Sequence, residues 1–293
     1  MIKKDEVTQL DNLEERKLKE IEHSKRRREI LQGYERHIDI DRTGDPTTVE
    51  SMIRDEESFK YHFSNTKFYS ITNLSEKYQH SWLKEKCNNG IKVLDFACGN
   101  GENGIFSAQS GADCIGIDIS PEGVTNANLN AVQAGVADHC KFEVMDGENM
   151  TFSDNTFDIG VEYGALHHVD LDKAMSELFR VLKPGAEMIC VEALRHNPLI
   201  HLYRKRTTHL RTEWEVEHIL GVESLKVVRK YFSNIEVKFF HLAVLAAVPF
   251  RKTFFFKPLR MFLDKIDQLL LSSKLIGKYG WIMVFIIRKS NNK

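Results

Sequence analysis

The chain has 293 residues, of which 42% are hydrophobic and 28% are charged, and its 41 basic residues nearly balance 42 acidic ones. This composition is typical of a folded protein and excludes collagen-like and wholly disordered classes. A net charge of −1 gives no overall attraction to nucleic acid. Because the five cysteines form no C-x-x-C pair and the N-terminus lacks an apolar signal core, we expect a cytoplasmic protein with reduced thiols.

The N-terminal region, residues 1–88, is predicted to be helical. Residues 1–36 combine many charges with one narrow apolar stripe, which is typical of a helix docked on a domain or on a second subunit. A turn-rich linker at 39–46 precedes a segment rich in aromatic residues. Tyr61 and Tyr69 in this segment are candidates for a lid over a ligand, although aromatics at helical spacing more often belong to a core.

The middle of the chain, residues 89–195, alternates short β-branched runs with helical stretches. This alternation predicts an α/β core with a parallel sheet covered by helices on both faces. We expect the remaining residues, 196–293, to complete the sheet and to bind a substrate. The predicted strands are 91–97, 112–119, 140–146, 157–163, 187–194, 234–240 and 280–288, and the predicted core helices lie near 102–110, 121–134 and 171–182.

The strongest chemical signal is the run VLDFACGNGENG, in which a strand ends at Asp95 and leads into Gly99, Gly101 and Gly104. Glycines let the backbone turn tightly and approach a ligand closely. Their G-x-G-x-x-G spacing also occurs in dinucleotide-binding oxidoreductases, which stay an alternative. However, the carboxylate of Asp95 would repel a pyrophosphate and attract an ammonium or sulfonium group. The loop therefore indicates a ligand that is cationic at this end.

Two further acids follow the next two strands. Asp118 ends the second strand, at a distance that suits the diol of a ribose. Asp146 ends the third strand and suits the exocyclic amine of adenine. The competing interpretations are a helix cap for Asp118, which precedes Ser120-Pro121, and a plain turn for Asp146, which precedes Gly147.

The motifs VLDFACGNG, GIDIS, VMDGENMTFSDNTFD, ALHHV and FRVLKPG, in this order, closely resemble class I S-adenosylmethionine-dependent methyltransferases. Within them the chain is most similar to the small-molecule branch that contains ubiquinone/menaquinone and sugar O-methyltransferases. The resemblance covers about residues 90–195 and implies a Rossmann-like, seven-stranded, mostly parallel sheet with one antiparallel strand near its edge. Ala97 replaces a glycine of many relatives, a change of one small residue for another. The implied cofactor-binding residues are Asp95, Ala97, Gly99, Gly101, Asp118, Ile119, Asp146, Gly147 and Glu162.

The resemblance also places the loop after the fourth strand, with His167 and His168, beneath the transferable methyl group. Similar sugar and phosphobase enzymes use a histidine in this loop, so His167 is the first candidate base, His168 the second, and Glu192 a carboxylate facing the acceptor. One histidine could merely order the loop, and Glu192 could pair with Arg195 instead. Because a hydroxyl needs a base, we expect O-methylation of a small or lipid-linked acceptor. C-methylation of a quinone-like ring and a catalytically silent cofactor-binding protein are the alternatives.

The C-terminal part has an unequal charge. Residues 238–293 contain 11 Lys/Arg and only two acids, Asp264 and Asp267. Residues 259–270 are expected to form a helix with one apolar face, which predicts either a wall of the acceptor pocket or contact with an anionic membrane surface. No His/Cys/carboxylate cluster has the spacing of a metal site. We expect no nucleic-acid partner, and the oligomeric state stays open.

Overall fold

The computed structural model describes residues 13–29 and 64–291. The predicted linker at 39–46, Tyr61 and the ends of the predicted 1–36 helix lie outside these residues. None of the helices in the described ranges is long and apolar enough to cross a membrane.

One seven-stranded sheet forms the centre of the protein, with the strand order β3-β2-β1-β4-β5-β7-β6. Strands β1 to β5 pair in parallel, whereas β7 is antiparallel to both of its neighbours. This arrangement confirms the predicted fold class and the antiparallel strand near the edge. The strands are β1 Lys92–Phe96, β2 Asp113–Asp118, β3 Cys140–Val144, β4 Phe157–Tyr163, β5 Leu182–Ala193, β6 Asn234–Phe240 and β7 Ile282–Arg288.

Helices cover both faces of this sheet, and a 3-10 helix at Thr66–Ile71 and another at Ala243–Phe250 pack against each other. The helices are α1 Glu15–Glu29, α2 Asn73–Lys86, α3 Glu102–Gln109, α4 Pro121–Gln133, α5 Leu171–Val181, α6 Pro198–Arg206, α7 Glu213–His218, α8 Leu225–Val228, α9 Phe256–Leu270 and α10 Lys274–Gly277.

Two predicted boundaries can be compared with the structure: the start of strand β5 and the boundary between the core and the C-terminal region. Strand β5 begins at Leu182 and not at 187, because Leu182 already pairs with Phe157, and the register then shifts so that Glu187 pairs with Ile159. Strands β6 and β7, from the predicted third region, pair with each other and with β5 of the core. The two regions therefore share one sheet, and the domain boundary at 195 stays a prediction.

Helix α9 has the predicted apolar face, but the core covers only part of it. Leu259 and Leu263 pack against the core, whereas Phe262 and Leu269, at the outer edge of the same face, are 62% and 78% exposed. The apolar face therefore extends beyond the part of α9 that meets the sheet domain.

Two apolar layers hold the sheet between them. One contains Val93, Phe142 and Val284, and the other contains Phe96, Leu178 and Phe285, all buried. Successive side chains of a strand point to opposite faces, so strands buried on both faces read as continuous apolar runs. Since β1 to β5 are parallel, the loops that follow them meet at one edge of the sheet.

Candidate active site

The loop between β1 and α3 turns through left-handed backbone conformations. Gly99 and Gly101 have φ angles of 57° and 89°, which glycine adopts without a steric penalty. A Cβ atom at Gly101 would also lie 2.6 Å from the ring of Phe142. Ala97 has φ of 53°. The alanine is therefore more than a neutral exchange for glycine, because an L-residue is strained in this conformation.

Asp95 stabilises this loop through a hydrogen bond to its backbone. Its Oδ2 accepts a hydrogen bond of 2.8 Å from the backbone N–H of Gly104, and the side chain is buried. Burial, reinforced by the charges of Glu102 and Asp118, raises the pKa of Asp95 well above its ordinary value. The carboxyl group thus fixes the glycine loop to the end of β1.

Asp118 joins the ends of β1 and β2. Its Oδ2 accepts from the backbone N–H of Gly99 at 2.9 Å, and its Oδ1 accepts from that of Ser120 at 2.8 Å. Burial raises the pKa of Asp118. The cap of α4 is Ser120, whose hydroxyl accepts from Gly123 N–H. Helix capping is therefore not the role of Asp118.

Asp146 lies beside the N-terminal helix α1. Its Oδ1 accepts from the backbone N–H of Glu148 at 3.0 Å, in keeping with a turn, and its Oδ2 accepts from Lys17 Nζ at 2.7 Å. Arg16 Nη2 bonds both oxygens of Glu148, at 2.5 and 2.7 Å. The start of α1 is thus attached to the end of β3.

The other end of α1 reaches the glycine loop. Arg28 Nη2 donates to Asn100 Oδ1 at 3.2 Å, between Gly99 and Gly101. Helix α1 therefore lies across the carboxyl ends of β1, β2 and β3, and it closes one side of the site.

His167 and Glu192 form a directed pair. His167 Nδ1 lies 2.7 Å from Glu192 Oε2, and Glu192 Oε1 accepts from the backbone N–H of Leu166 at 2.6 Å. Burial raises the pKa of Glu192, but the neighbouring His167 lowers it more, so that this pKa lies below its ordinary value. An ionised Glu192 accepts only, so Nδ1 of His167 donates to it, and Nε2 is on the side of the ring away from Glu192. Glu215 Oε1 lies 3.9 Å from this Nε2.

Glu162 lies next to this pair, behind the cavity wall. Its Oε1 accepts from the backbone N–H of Ala165 at 2.5 Å, and the side chain is completely buried. Burial and the charge of Glu192 raise the pKa of Glu162 well above its ordinary value. Of two adjacent buried carboxyl groups, one thus keeps its proton and the other is charged.

His168 takes a different role from His167, although the two rings are 4.3 Å apart. Its Nδ1 lies 3.0 Å from Oε2 of Glu20 on α1. Burial lowers the pKa of His168, but the hydrogen bond to Glu20 and the charge of Glu215 raise it more, to about 8. A protonated His168 holds α1 to the loop and cannot accept a further proton at neutral pH.

These loops surround a cavity of about 510 Å³. Its wall contains eight of the predicted site residues: Ala97, Gly99, Asp118, Ile119, Asp146, Gly147, His167 and His168. Four others stand behind the wall and support it: Asp95, Gly101, Glu162 and Glu192.

The part of the cavity beyond the histidines is largely apolar. It is lined by the apolar and aromatic residues Phe68, Tyr69, Val191, Ile200, Tyr203, Leu210, Ile219, Trp281 and Ile282, together with the charged residues Arg204, Arg211 and Glu215. Tyr69, one of the two lid candidates, is therefore a wall residue. Asp118 and Asp146 on the wall at one end and a largely apolar chamber at the other fit a nucleoside cofactor beside a hydrophobic second ligand.

Known proteins support this interpretation. A family model described as a methyltransferase domain matches residues 94–190. An uncharacterized methyltransferase of Synechocystis is 30% identical over 154 residues, which are 48% of this chain and 70% of that protein. The chain belongs to the S-adenosylmethionine-dependent methyltransferases. This confirms the class I small-molecule branch that the motifs indicate, and S-adenosylmethionine as the cofactor of the family.

Two further relatives of this methyltransferase carry more specific names. The sterol 4-C-methyltransferase of Caenorhabditis elegans is 31% identical over 196 residues, 64% of this chain and 57% of that protein. The chain spans about half the length of several curated relatives that it matches. The crystal structure of geranyl diphosphate C-methyltransferase from Streptomyces coelicolor covers 95% of this chain and 99% of its own, with a TM-score of 0.57 and 14% identity. At that identity the structure shows a shared fold.

Sequence reasoning missed the site residues that come from distant parts of the methyltransferase chain. Glu20 bonds both His168 and the hydroxyl of Thr212, and Glu215 lies between His167 and Arg211 Nε, 3.0 Å from the latter. Both glutamates occur in charged helices whose pattern is that of a solvated surface. The only available signal was the narrow apolar stripe of α1, which indicated docking but not its place.

Proposed function

We propose that the protein transfers a methyl group to a carbon atom of a small hydrophobic acceptor, with His167 accepting the proton that this carbon loses. The observation that carries the proposal is His167 on the wall of the cavity, paired with Glu192 behind the wall and facing the apolar chamber. When bound, S-adenosylmethionine supplies an activated methyl group.

The chain's own residues then have three tasks. Asp118 and Asp146 suit the ribose and the adenine amine, and Asp95 and the glycines Gly99 and Gly101 shape the end that holds the methionine part. The apolar chamber positions the acceptor and excludes water. His167, directed by Glu192, removes the proton at Nε2, and the charge of Glu192 stabilises the imidazolium that results.

Two observations favour carbon as the methylated atom. They are the apolar chamber and the names of two similar proteins. The acceptor end offers mostly apolar and aromatic side chains. The sterol relative and the geranyl diphosphate enzyme are both named as C-methyltransferases, and the acceptors in these names contain large hydrophobic parts. A sterol-like, isoprenoid or quinone-like molecule suits such a chamber.

O-methylation is the second candidate, because the His167–Glu192 pair is equally compatible with it. A hydroxyl group has too high a pKa to be ionised at neutral pH, so its attack needs a base in this position. A proton must also leave a carbon acceptor, so the pair by itself serves both reactions.

The test uses S-adenosylmethionine carrying a ¹³C-labelled methyl group and a lipid extract of the source cells. The carbon chemical shift of the labelled product distinguishes a methyl group on carbon from one on oxygen, and we expect carbon. His167→Asn should lose turnover and keep cofactor binding, whereas the matched control His201→Asn, on the exposed part of α6, should keep both. Label on oxygen would replace C- by O-methylation. Cofactor binding without turnover in lipid or aqueous extracts would refute the proposal and favour the silent alternative.

A further inference from the structure

Helix α9 and the turn before it present a large apolar surface to solvent. Phe254 is 95% exposed, and Met261, Phe262 and Leu269 are 52%, 62% and 78% exposed. We call these four side chains, with Lys257 and Lys265 between them on the outward side of the helix, the outer face of α9. Exposed apolar side chains grouped in this way mark a contact site, because single ones are normal but clusters are not.

The acids of this segment point away from the outer face. Asp267 is buried, and its carboxylate accepts the backbone N–H groups of Leu242, Ala243 and Val244 at 2.6 to 3.2 Å. The Asp264 side chain is 13% exposed and lies 4.0 Å from Arg260 Nε. These are the only acids within residues 250–270, so the outer face of α9 carries cations without carboxylates.

We propose that the outer face of α9 docks on the surface of a lipid bilayer that contains anionic lipids. An amphipathic helix with aromatic and aliphatic side chains on one side and lysines at its borders binds at the boundary of head groups and acyl chains. The phenylalanines would enter the acyl region, and Lys257 and Lys265 would meet the lipid phosphates.

Charge distinguishes this occupant from a second copy of the chain. A two-fold contact through the outer face of α9 would bring Lys257 and Lys265 of both copies together, with no carboxylate on that face to pair with them. Like charges held close in an interface are destabilising. An anionic lipid surface has the complementary charge.

Helix α9 is connected to the wall of the cavity through packed elements. The 3-10 helix Ala243–Phe250, which precedes α9, packs against Thr66–Ile71, whose Phe68 and Tyr69 line the cavity. On α6, Leu199 and Leu202 are 62% and 47% exposed beside the wall residue Tyr203. The docking proposal goes beyond the proposed function and does not depend on it.

Flotation of the full-length protein with vesicles tests this surface without any acceptor. We expect binding to phosphatidylcholine vesicles with about 30% phosphatidylglycerol, and at least about tenfold weaker binding to pure phosphatidylcholine or in about 0.5 M sodium chloride. Phe254→Ser/Phe262→Ser should weaken binding by about tenfold or more, since the side chains lose burial in the acyl region. Lys257→Glu/Lys265→Glu should remove the preference for anionic vesicles.

The matched control is Leu129→Ser/Val132→Ser, which changes two exposed apolar side chains on α4 (39% and 64% exposed) and should bind vesicles like the wild type. Sedimentation velocity and circular dichroism of all variants verify mass and folding. Absence of vesicle binding by the wild type, or binding that survives the phenylalanine substitutions, would overturn the proposal. So would a dimer that those substitutions dissociate, since the occupant would then be a second copy. Turnover with detergent-solubilised acceptor is scored separately, so a failure of docking is distinct from a failure of methyl transfer.

Discussion

Glu192→Gln is the substitution that tests the arrangement of the candidate base most directly. Glutamine has nearly the same shape, and its amide oxygen can still accept from Leu166 N–H, which Glu192 Oε1 does at 2.6 Å. Its amide nitrogen would then face His167 Nδ1, 2.7 Å from the present Oε2, and would donate where the carboxylate accepts. His167 must then lose this bond or move its hydrogen to Nε2, where a base has to be free.

The structure sets the size of the expected effect. A positioned general base contributes about 10²- to 10⁴-fold to a rate, which corresponds to about 3–5 kcal/mol of barrier height. The variant also removes the charge that stabilises the imidazolium in a completely buried place. We therefore expect kcat to fall about 10²- to 10⁴-fold. Glu192 stands behind the cavity wall, so the affinity for the cofactor should change by less than about threefold.

The assay follows the release of S-adenosylhomocysteine under saturating acceptor, and calorimetry measures cofactor binding separately. Glu187→Gln is the matched control, because Glu187 lies on the same strand at the other end and pairs with Lys86 and Arg288. The reasoning would be refuted if Glu192→Gln kept kcat within about threefold of the wild type, since a base cannot act through a ring turned the wrong way.

Three further substitutions test how residues around the site stabilise the fold, and chemical denaturation measures their free energies of unfolding. His168 has a pKa of about 8, above its ordinary 6.5, so its stabilisation is present below about pH 6.5 and is lost as the pH rises through 8. Glu20→Gln should abolish this loss of about 2 kcal/mol between about pH 6 and pH 9, and an unchanged pH dependence would contradict the pairing. Gly101→Ala should lower the free energy of unfolding by about 2–4 kcal/mol through its φ of 89° and contact with Phe142. Phe142→Leu should restore part of this loss, and additive effects would argue against the contact. Ala97→Gly should raise the free energy of unfolding by about 0.5–1 kcal/mol, because relief of the left-handed strain exceeds the entropy cost of glycine. A decrease would show that Ala97 is not strained.

The sheet and its nucleotide end were predictable from the sequence for a local reason. Runs such as Lys92–Phe96 and Phe157–Tyr163 are short and contiguous in the chain, and their nearly continuous apolar character reflects burial on both faces. Asp118 and Asp146 follow directly after strands, so strand order alone brings them to one edge. The sequence also named His167 and Glu192, although only the coordinates show that they are 2.7 Å apart.

The sequence by itself thus determined the fold class, the family and the acids at the ends of the strands, because a short, contiguous sequence motif indicates each of them. The tertiary structure alone decided which histidine is directed by Glu192 and which is held by Glu20. It also decided that the acids of α9 point inward and that Phe262 points outward. These outcomes depend on pairs of residues far apart in the chain and on which side of a helix meets the core, and no local periodicity records either of them.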